Sequence, residues 1–268
     1  MPLLDFFIDL AKSGGEKAFA RAGQRVKVSI LEPNNHRDIS EIVDLYERRI
    51  DQSQQYETHQ FIEWIQDASI RKTLNNTVFV AKHDRHVVGF LQLMMPNDCK
   101  HLFASYFAVD ETSVHGRVEA AEGLVFRAML YATNLLRQPS VIFEVERPHP
   151  DKDAVKAQHD FARIRRFKNL FERFGYRAYE LAAPYIQPEM PNDAGYANRH
   201  DMLLMMATDK QLNAITRVEY DEIVGFIYDR IYGLTFKNDP ELRTIYQQEL
   251  TETRKYIISQ CPDPVPLR

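Results

Sequence analysis

The stretch Leu170-Phe171-Glu172-Arg173-Phe174-Gly175-Tyr176 marks the point where a predicted helix gives way to a predicted strand. Upstream, apolar residues recur at helical spacing at Ile164, Phe167 and Phe171, which predicts one buried helix face. Gly175 is the expected C-cap, because glycine readily takes the left-handed backbone that commonly ends a helix. Residues 176–181 are typical of a strand, so the stretch predicts a helix–strand unit of an α/β chain.

Outward from this stretch, strand and helix signals alternate between Val26 and about Ala207. The clearest is a hairpin, in which the apolar runs Thr77–His83 and His86–Met95 flank the turn pair Asp84-Arg85 and are therefore antiparallel. We expect a mixed α/β (α+β) fold with a mostly antiparallel central sheet flanked by helices. The other predicted strands are 26–31, 101–109, 141–146, 176–181 and 202–207, and the longest predicted helix spans 117–136.

Three regions are predicted: an N-terminal helical segment (1–25), a core domain (26–208) and a C-terminal helical extension (209–268). In the extension, apolar residues recur at helical spacing, which predicts two helices that pack on the domain or on a second subunit. The second alternative would form a homodimer through these helices. Within the C-terminal extension, we interpret the following residues as core or dimer contacts: Tyr220, Ile223, Phe226, Ile227 and Tyr232.

Composition excludes several classes of protein. With 268 residues and 44% hydrophobic content, the chain can bury a sizeable core, so disorder is excluded. The net charge of −4 with mixed signs gives no reason to expect a nucleic-acid partner. Two distant cysteines predict a reduced, cytoplasmic protein. No apolar run is long enough to span a membrane, and the acidic 3–10 segment favours a helix that docks on the protein over a membrane contact.

The order of elements resembles the GNAT family of N-acetyltransferases over roughly residues 26–207. Leu170–Tyr176 looks like the family's helix ending, and Val87–Leu91 is similar to its hydrophobic Val-Gly strand. Phe107–Val109 is similar to its splayed cofactor-binding strand. The resemblance implies a GNAT-like fold that transfers an acetyl or other acyl group from acyl-CoA to an amine, carried by a small molecule or a peptide.

The resemblance also implies where the cofactor, acetyl-CoA or another acyl-CoA, is held. The pantetheine arm would bond to the backbone of one strand, and the pyrophosphate would lie at the start of the next helix, where unpaired N–H groups attract anions. The residues implied are Phe107, Ala108, Val109, His115, Gly116 and Arg117. This loop departs from the family pattern, because Glu119 and Glu122 place carboxylates in the first turns, where they repel a diphosphate.

Two glutamates in the strand Val141–Glu146 are candidates for chemistry. Glu144 matches the strand glutamate that acts as base in some members of the family, where the incoming ammonium must lose a proton before it attacks. Glu146 lies two residues on and therefore shares its face. Because two carboxylates on one strand face are costly to bury unpartnered, we expect Glu146 to line a wet cleft or contact a cationic substrate.

The general acid is harder to assign. The family's tyrosine falls at Phe171, which cannot donate a proton. Tyr176 is the catalytic candidate in its place, with Tyr179, Tyr185 or water as alternatives. By resemblance, the proline-rich segment 183–191 borders the acceptor pocket, which makes Tyr185 and Gln187 candidates for substrate contact.

Two other functions remain open from the sequence. A noncatalytic GNAT-like binding or scaffold protein is compatible with the acidic loop and with Phe171. An acyl-carrier protein could instead serve as donor and bind the basic helix around Arg163–Arg173. No metal is expected, because the clustered side chains His149, Asp151, Asp153 and His159 fit no ligand spacing and favour a solvated loop.

Overall fold

The computed structural model describes residues 26–96, 99–110, 117–136, 140–188, 200–234 and 240–268. Its strands are β1 (Val26–Ile30), β2 (Thr77–His83), β3 (His86–Met94), β4 (Leu102–Val109), β5 (Ser140–Glu146), β6 (Arg177–Glu180), β7 (Ile186–Gln187), β8 (His200–Thr208), β9 (Ala214–Ile215) and β10 (Val265–Pro266). Its α-helices are α1 (His36–Arg49), α2 (Thr58–Gln66), α3 (Ala68–Leu74), α4 (Arg117–Leu135), α5 (Ala154–Glu172), α6 (Arg217–Gly225) and α7 (Pro240–Ser259). The predicted segment 1–25 lies outside the described residues.

Within the described residues, the central sheet has eight strands in the order β1-β2-β3-β4-β5-β8-β6, and β7 also pairs with β8. All neighbours are antiparallel except β4 and β5, which are parallel. The mixed, mostly antiparallel α/β fold predicted from the sequence is therefore confirmed.

The parallel pair β4–β5 is short. Pairing runs from Leu102 opposite Val141 to Ala104 opposite Phe143. Beyond Ala104, β4 stays paired with β3 as far as Val109, while β5 stays paired with β8 as far as Glu146. Within the described residues the two strands thus part halfway along, which leaves an opening between their C-terminal ends.

Each face of the sheet has its own hydrophobic core. On one face, α4 and α5 pack against alternate sheet residues such as Phe143 and Val145. On the other face, α1, α2 and α3 pack together with the C-terminal region around residues such as Phe90 and Ile142. This alternation follows from the period of two along a strand.

The predicted hairpin turn is present and has a demanding backbone. Asp84 and Arg85 both have positive φ, at 47° and 72°. Two consecutive left-handed residues are typical of the tight turns that match strand twist, and such turns favour glycine at the second position.

Replacing Arg85 by glycine should therefore stabilise the protein by about 0.5–1 kcal/mol, because a side chain is strained at this φ. Urea unfolding of Arg85→Gly against wild type measures this. Arg71→Gly, within the regular helix α3, should instead lose stability by about 1 kcal/mol. A lower unfolding midpoint for Arg85→Gly would contradict the prediction.

The C-terminal extension packs on the sheet of its own chain. Helix α6 continues as a π-helix (Phe226–Ile231) and a short 3₁₀ turn (Tyr232–Leu234). The apolar stripe Ile223, Ile227 and Ile231 is at most 1% exposed and belongs to the same core as α1–α3. Docking on the domain, one of the two predicted alternatives, is what the structure contains; a homodimer stays a prediction.

The prediction that residues beyond 208 are purely helical is wrong in one respect. β9 and β10 form a two-stranded antiparallel sheet within this region. Strands of two residues leave no detectable alternation in a sequence, so the pattern of the helices masks them. None of the helices in the described residues is long and apolar enough to cross a membrane.

Candidate active site

Glu144 lies where the sheet opens. It is the first residue of β5 beyond the pairing with β4, and it faces the core that contains α1–α3 and the C-terminal extension. The strand period puts its neighbours Phe143 and Val145 into the opposite core. The carboxylate is thus placed beside the gap between the two strands.

Three donors bind the Glu144 carboxylate. The Tyr185 hydroxyl donates to Oε1, the Gln187 amide donates to Oε2 at 2.9 Å, and the Tyr232 hydroxyl donates to Oε2 at 2.8 Å. A carboxylate offers about four acceptor positions, so among the residues that the structure describes one position, on Oε1, is left for a further proton donor. Charge-assisted hydrogen bonds of this kind fix the carboxylate in one orientation.

Burial raises the pKa of Glu144, and the hydrogen bonds from Tyr185, Tyr232 and Gln187 only partly offset this effect. The charged form loses hydration when it is buried, which favours the protonated form. A carboxyl group with a raised pKa is a stronger base once ionised. This is the property expected of a group that removes a proton near neutral pH.

The segment between β6 and β8 presents Tyr185 and Gln187. Within it, β7 pairs with β8, with Gln187 opposite His200. Tyr185 is fully buried and Gln187 is 5% exposed. The two residues predicted to contact substrate are therefore brought onto the predicted base, Glu144.

The 3₁₀ turn Gln52–Gln54 bridges the gap between the two strands. The Tyr106 hydroxyl of β4 donates to the Gln54 backbone carbonyl at 3.1 Å. The Gln54 side-chain amide donates to Glu146 Oε1 of β5 at 3.2 Å. This turn therefore closes one side of the opening and connects both strands to the α1–α2 region.

Glu146 is held in an ion-pair network. Arg163 Nη2 lies 2.7 Å from Glu146 Oε2, and Lys156 Nζ lies 3.1 Å from the same oxygen. Both basic side chains also form ion pairs with Asp160. Burial raises the pKa of Glu146, but Arg163 and Lys156 outweigh that effect and hold it below its usual value. Its charge is thus balanced within the chain, and contact with a cationic substrate stays a prediction.

The structure does not bring Tyr176 to Glu144. Tyr176 is buried in the core beneath α4 and α5, on the other face of the sheet, and its hydroxyl lies 2.7 Å from Thr133 Oγ1. Phe171, where the resemblance to the family places a general acid, stacks on Phe143 in the same core, with ring centroids 5.5 Å apart. Tyr176 follows the end of α5, as the sequence predicts, but the sequence does not indicate which core its side chain enters.

The other tyrosines named as alternatives differ in position. The Tyr179 hydroxyl donates to the backbone carbonyl of Lys210 at 3.1 Å, at an exposed position. Of the three tyrosines named as candidates for the general acid, Tyr185 is the one that contacts Glu144.

The predicted cofactor residues are placed in part. Phe107, Ala108 and Val109 form the end of β4, beyond its pairing with β5. His115 and Gly116 lie outside the described residues, and Arg117 is the first residue of α4. The Glu122 carboxylate, expected to repel a diphosphate, is ion-paired with Arg173 at the end of α5. That pairing reduces the repulsion that the sequence predicts.

One residue of the site is unexpected. From the sequence alone, Tyr232 is interpreted as a core or dimer contact, yet its hydroxyl binds Glu144. The two residues are 88 positions apart, and no local pattern connects a helical extension with a strand in the core domain. Only the tertiary packing identifies Tyr232.

Comparison with solved structures decides the fold. A protein from Bacteroides thetaiotaomicron described as a GNAT-family acetyltransferase aligns with 76% of this chain and 98% of its own, with a TM-score of 0.51 and 16% sequence identity. This chain has the GNAT fold. At this identity the likeness establishes the fold alone. No protein-family model matches the sequence, and no curated protein matches it.

Two other solved structures are also similar to this chain. One is yncA from Salmonella typhimurium, described as an acetyltransferase and solved with its cofactor acetyl-CoA: 14% identity, TM-score 0.44, covering 70% of this chain and 96% of that one. Another is the spermidine/spermine N-acetyltransferase SpeG from Vibrio cholerae: 15% identity, TM-score 0.43, covering 69% of this chain and 95% of that one.

Proposed function

We propose that this protein transfers an acyl group from acyl-CoA to an amine, with Glu144 as the general base. The observation that carries the proposal is the position of Glu144: a half-buried carboxylate of raised pKa, fixed by three donors, at the point where β4 and β5 part. In a GNAT fold this opening is where the donor and the acceptor would meet.

The end of β4 fits the proposed donor. Beyond Ala104 this strand pairs with β3 on one side, and in the described residues it has no strand partner on the β5 side. Backbone groups on such an open edge can bond to an extended, amide-containing chain such as pantetheine, as in strand addition. The backbone of Phe107–Val109 would hold the donor next to Glu144.

The chain's part in the reaction is to move one proton. An amine arrives as an ammonium ion, and Glu144 Oε1 accepts a proton from it through its remaining acceptor position. The neutral amine then attacks the thioester carbonyl, forming the C–N bond as the C–S bond breaks. The nitrogen releases its second proton on collapse, which balances the thiolate, so the products are the amide, the free thiol and the proton on Glu144.

Two of the basic side chains proposed to bind an acyl-carrier protein already form ion pairs within this chain. Arg163 binds Glu146 and Asp160, and Arg173 binds Glu122. This lowers the charge that α5 could offer to an acidic carrier. The acyl-CoA donor is therefore preferred.

The test is acetyl transfer followed as a function of pH. We expect acetyl-CoA to bind in the micromolar range by titration calorimetry, about −8 kcal/mol. Thiol release is then measured with a panel of amines. We expect kcat/KM to fall at acidic pH, because Glu144 must be ionised to accept the proton. The midpoint of this fall should lie above the ordinary pKa of a glutamate.

Longer acyl-CoAs and free CoA are tested alongside. No binding of any acyl-CoA would overturn the proposal and leave a carrier-protein donor or a noncatalytic binder. Binding without transfer to any amine would support the noncatalytic alternative. An acidic limb at the ordinary glutamate pKa would contradict the assignment of Glu144 as the base.

A further inference from the structure

We propose that the C-terminal extension completes this site around Glu144, with Tyr232 as a positioning residue for Glu144 and with Tyr220 and Tyr228 as anchors of the segment that carries Tyr185 and Gln187. The effect of Tyr232 on catalysis rests on the proposed function, whereas its effect on the orientation and pKa of Glu144 does not.

Two tyrosines of the extension hold the backbone of that segment. The Tyr220 hydroxyl of α6 donates to the Pro184 carbonyl at 2.7 Å, and the Tyr228 hydroxyl of the π-helix donates to the Ile186 carbonyl. The residues at 184 and 186 are tied through their carbonyls, while the side chains of the alternate residues, Tyr185 and Gln187, bind Glu144. The extension therefore fixes the segment whose side chains orient the carboxylate.

The third tyrosine reaches the carboxylate itself. Tyr232 donates to Glu144 Oε2 at 2.8 Å, and its oxygen accepts from the Gln187 amide at 3.1 Å. Glu144, Gln187 and Tyr232 thus form a closed set of hydrogen bonds. A change at Tyr232 acts on both members of the set.

Burial gives these hydroxyls their significance. Tyr220 and Tyr228 are fully buried and Tyr232 is 2% exposed. A buried phenol needs a hydrogen-bond partner, and phenylalanine would fill the same space without that requirement. All three hydroxyls find their partners in the site or in the segment beside it, so packing alone does not account for tyrosine at these positions.

The helix geometry of the extension changes between these residues. Tyr228 lies in the π-helix and Tyr232 begins the 3₁₀ turn, with ring centroids 6.5 Å apart. The Tyr185 ring lies 6.1 Å from that of Tyr228. Short π-helices occur frequently at functional sites, where an added residue in a turn redirects side chains. Here the change from π-helix to 3₁₀ turn separates two tyrosines that contact the site: Tyr228, which binds the Ile186 carbonyl, and Tyr232, which binds Glu144.

Loss of the Tyr232 hydroxyl should shift the pKa of Glu144 in one direction. The Tyr232 hydroxyl stabilises the ionised carboxylate, so its removal raises the pKa of Glu144 further. The other groups that face this region are Tyr185, Tyr228, Tyr106 and Tyr56, with Glu146 on the same strand balanced by Arg163 and Lys156. Tyr232→Phe replaces none of these groups, so the lost hydrogen bond to Glu144 is its direct effect on the carboxylate.

The test is Tyr232→Phe in the full-length chain, with Tyr256→Phe as the matched control. Tyr256 lies in α7 of the same extension and is 58% exposed. The titration of Glu144 is followed by carbon-13 NMR of labelled glutamate side chains, with Glu144→Gln used to assign the signal. We expect the titration midpoint to move to higher pH in Tyr232→Phe and to stay in place in Tyr256→Phe.

A midpoint that does not move in Tyr232→Phe would overturn the inference, whether or not the wild type transfers acyl groups. The same variant should move the acidic limb of kcat/KM to higher pH in the enzyme assay. A moved NMR midpoint in a protein without any transferase activity would support the positioning and overturn the proposed function. The two failures are thus distinguishable.

Tyr228→Phe tests the anchors independently. Loss of the bond to the Ile186 carbonyl should speed amide hydrogen exchange at Tyr185, Ile186 or Gln187 by about tenfold, the equivalent of one ordinary hydrogen bond. Exchange at these amides equal to wild type would contradict the anchoring role.

Discussion

Glutamine in place of Glu144 should lower kcat by about 10²–10⁴-fold while the protein stays folded, since a positioned general base contributes about that much. The substitution keeps the size of the side chain but removes its ability to accept a proton from an ammonium ion. With the new amide oxygen at the Oε2 position, Gln187 and Tyr232 can still donate to it, and the Tyr185 hydroxyl can accept from the new amide N–H, so we expect the site to keep its shape. Stopped assays with acetyl-CoA and the best amine measure the loss.

The control is Glu180→Gln, which changes a glutamate of the same sheet, in β6, away from the opening. It should retain kcat within about twofold, as expected of substitutions remote from the reacting atoms. Thermal unfolding of both variants tests whether the fold is intact. Wild-type kcat in a folded Glu144→Gln variant would remove Glu144 from the mechanism.

Ile227→Ala should cost about 2–5 kcal/mol of the free energy of unfolding, because it deletes a fully buried side chain and leaves a cavity. Ile227 lies in the extension, yet it belongs to the core that also holds α1–α3 and one face of the sheet. We therefore expect a single unfolding transition in which the extension and the sheet melt together. Urea denaturation followed by circular dichroism and by tyrosine fluorescence measures both points.

Ile245→Ala is the matched control, because Ile245 is in α7 of the same extension but is 56% exposed. Its cost should stay within about 0.5 kcal/mol. Two separate transitions in Ile227→Ala, or a loss no larger than that of Ile245→Ala, would contradict a shared core.

The elements with a strong local signal are predictable from the sequence. The hairpin at Asp84-Arg85 and the helix that ends before Gly175 both combine periodicity with a turn or cap residue, and both are present. β7, β9 and β10 have two residues each, which is too short for any period to emerge. They exist because neighbouring segments offer them backbone partners.

The residues of the candidate site also differ in how far the sequence predicts them. Glu144, Tyr185 and Gln187 are candidates through the resemblance to the GNAT family, which matches Glu144 to a strand glutamate and places residues 183–191 beside the acceptor pocket. Tyr176, predicted as the general acid in place of Phe171, lies in the opposite core from Glu144. The sequence does not fix which of the two cores a residue after a helix cap enters. Glu146 looked available, but Arg163 and Lys156 reach it from a helix whose approach only folding determines.

By itself, the sequence determined the class of fold, the order of its main strands and helices, and the strand that carries the candidate base. These depend on local periodicity and turn chemistry, which are written in neighbouring residues. Only the tertiary structure decided that Tyr232 binds Glu144, that Tyr220 and Tyr228 hold the adjoining segment, and that the extension shares the core of the sheet. Those contacts join residues tens of positions apart, and they are selected by the burial of apolar surface and the need to pair buried hydroxyls.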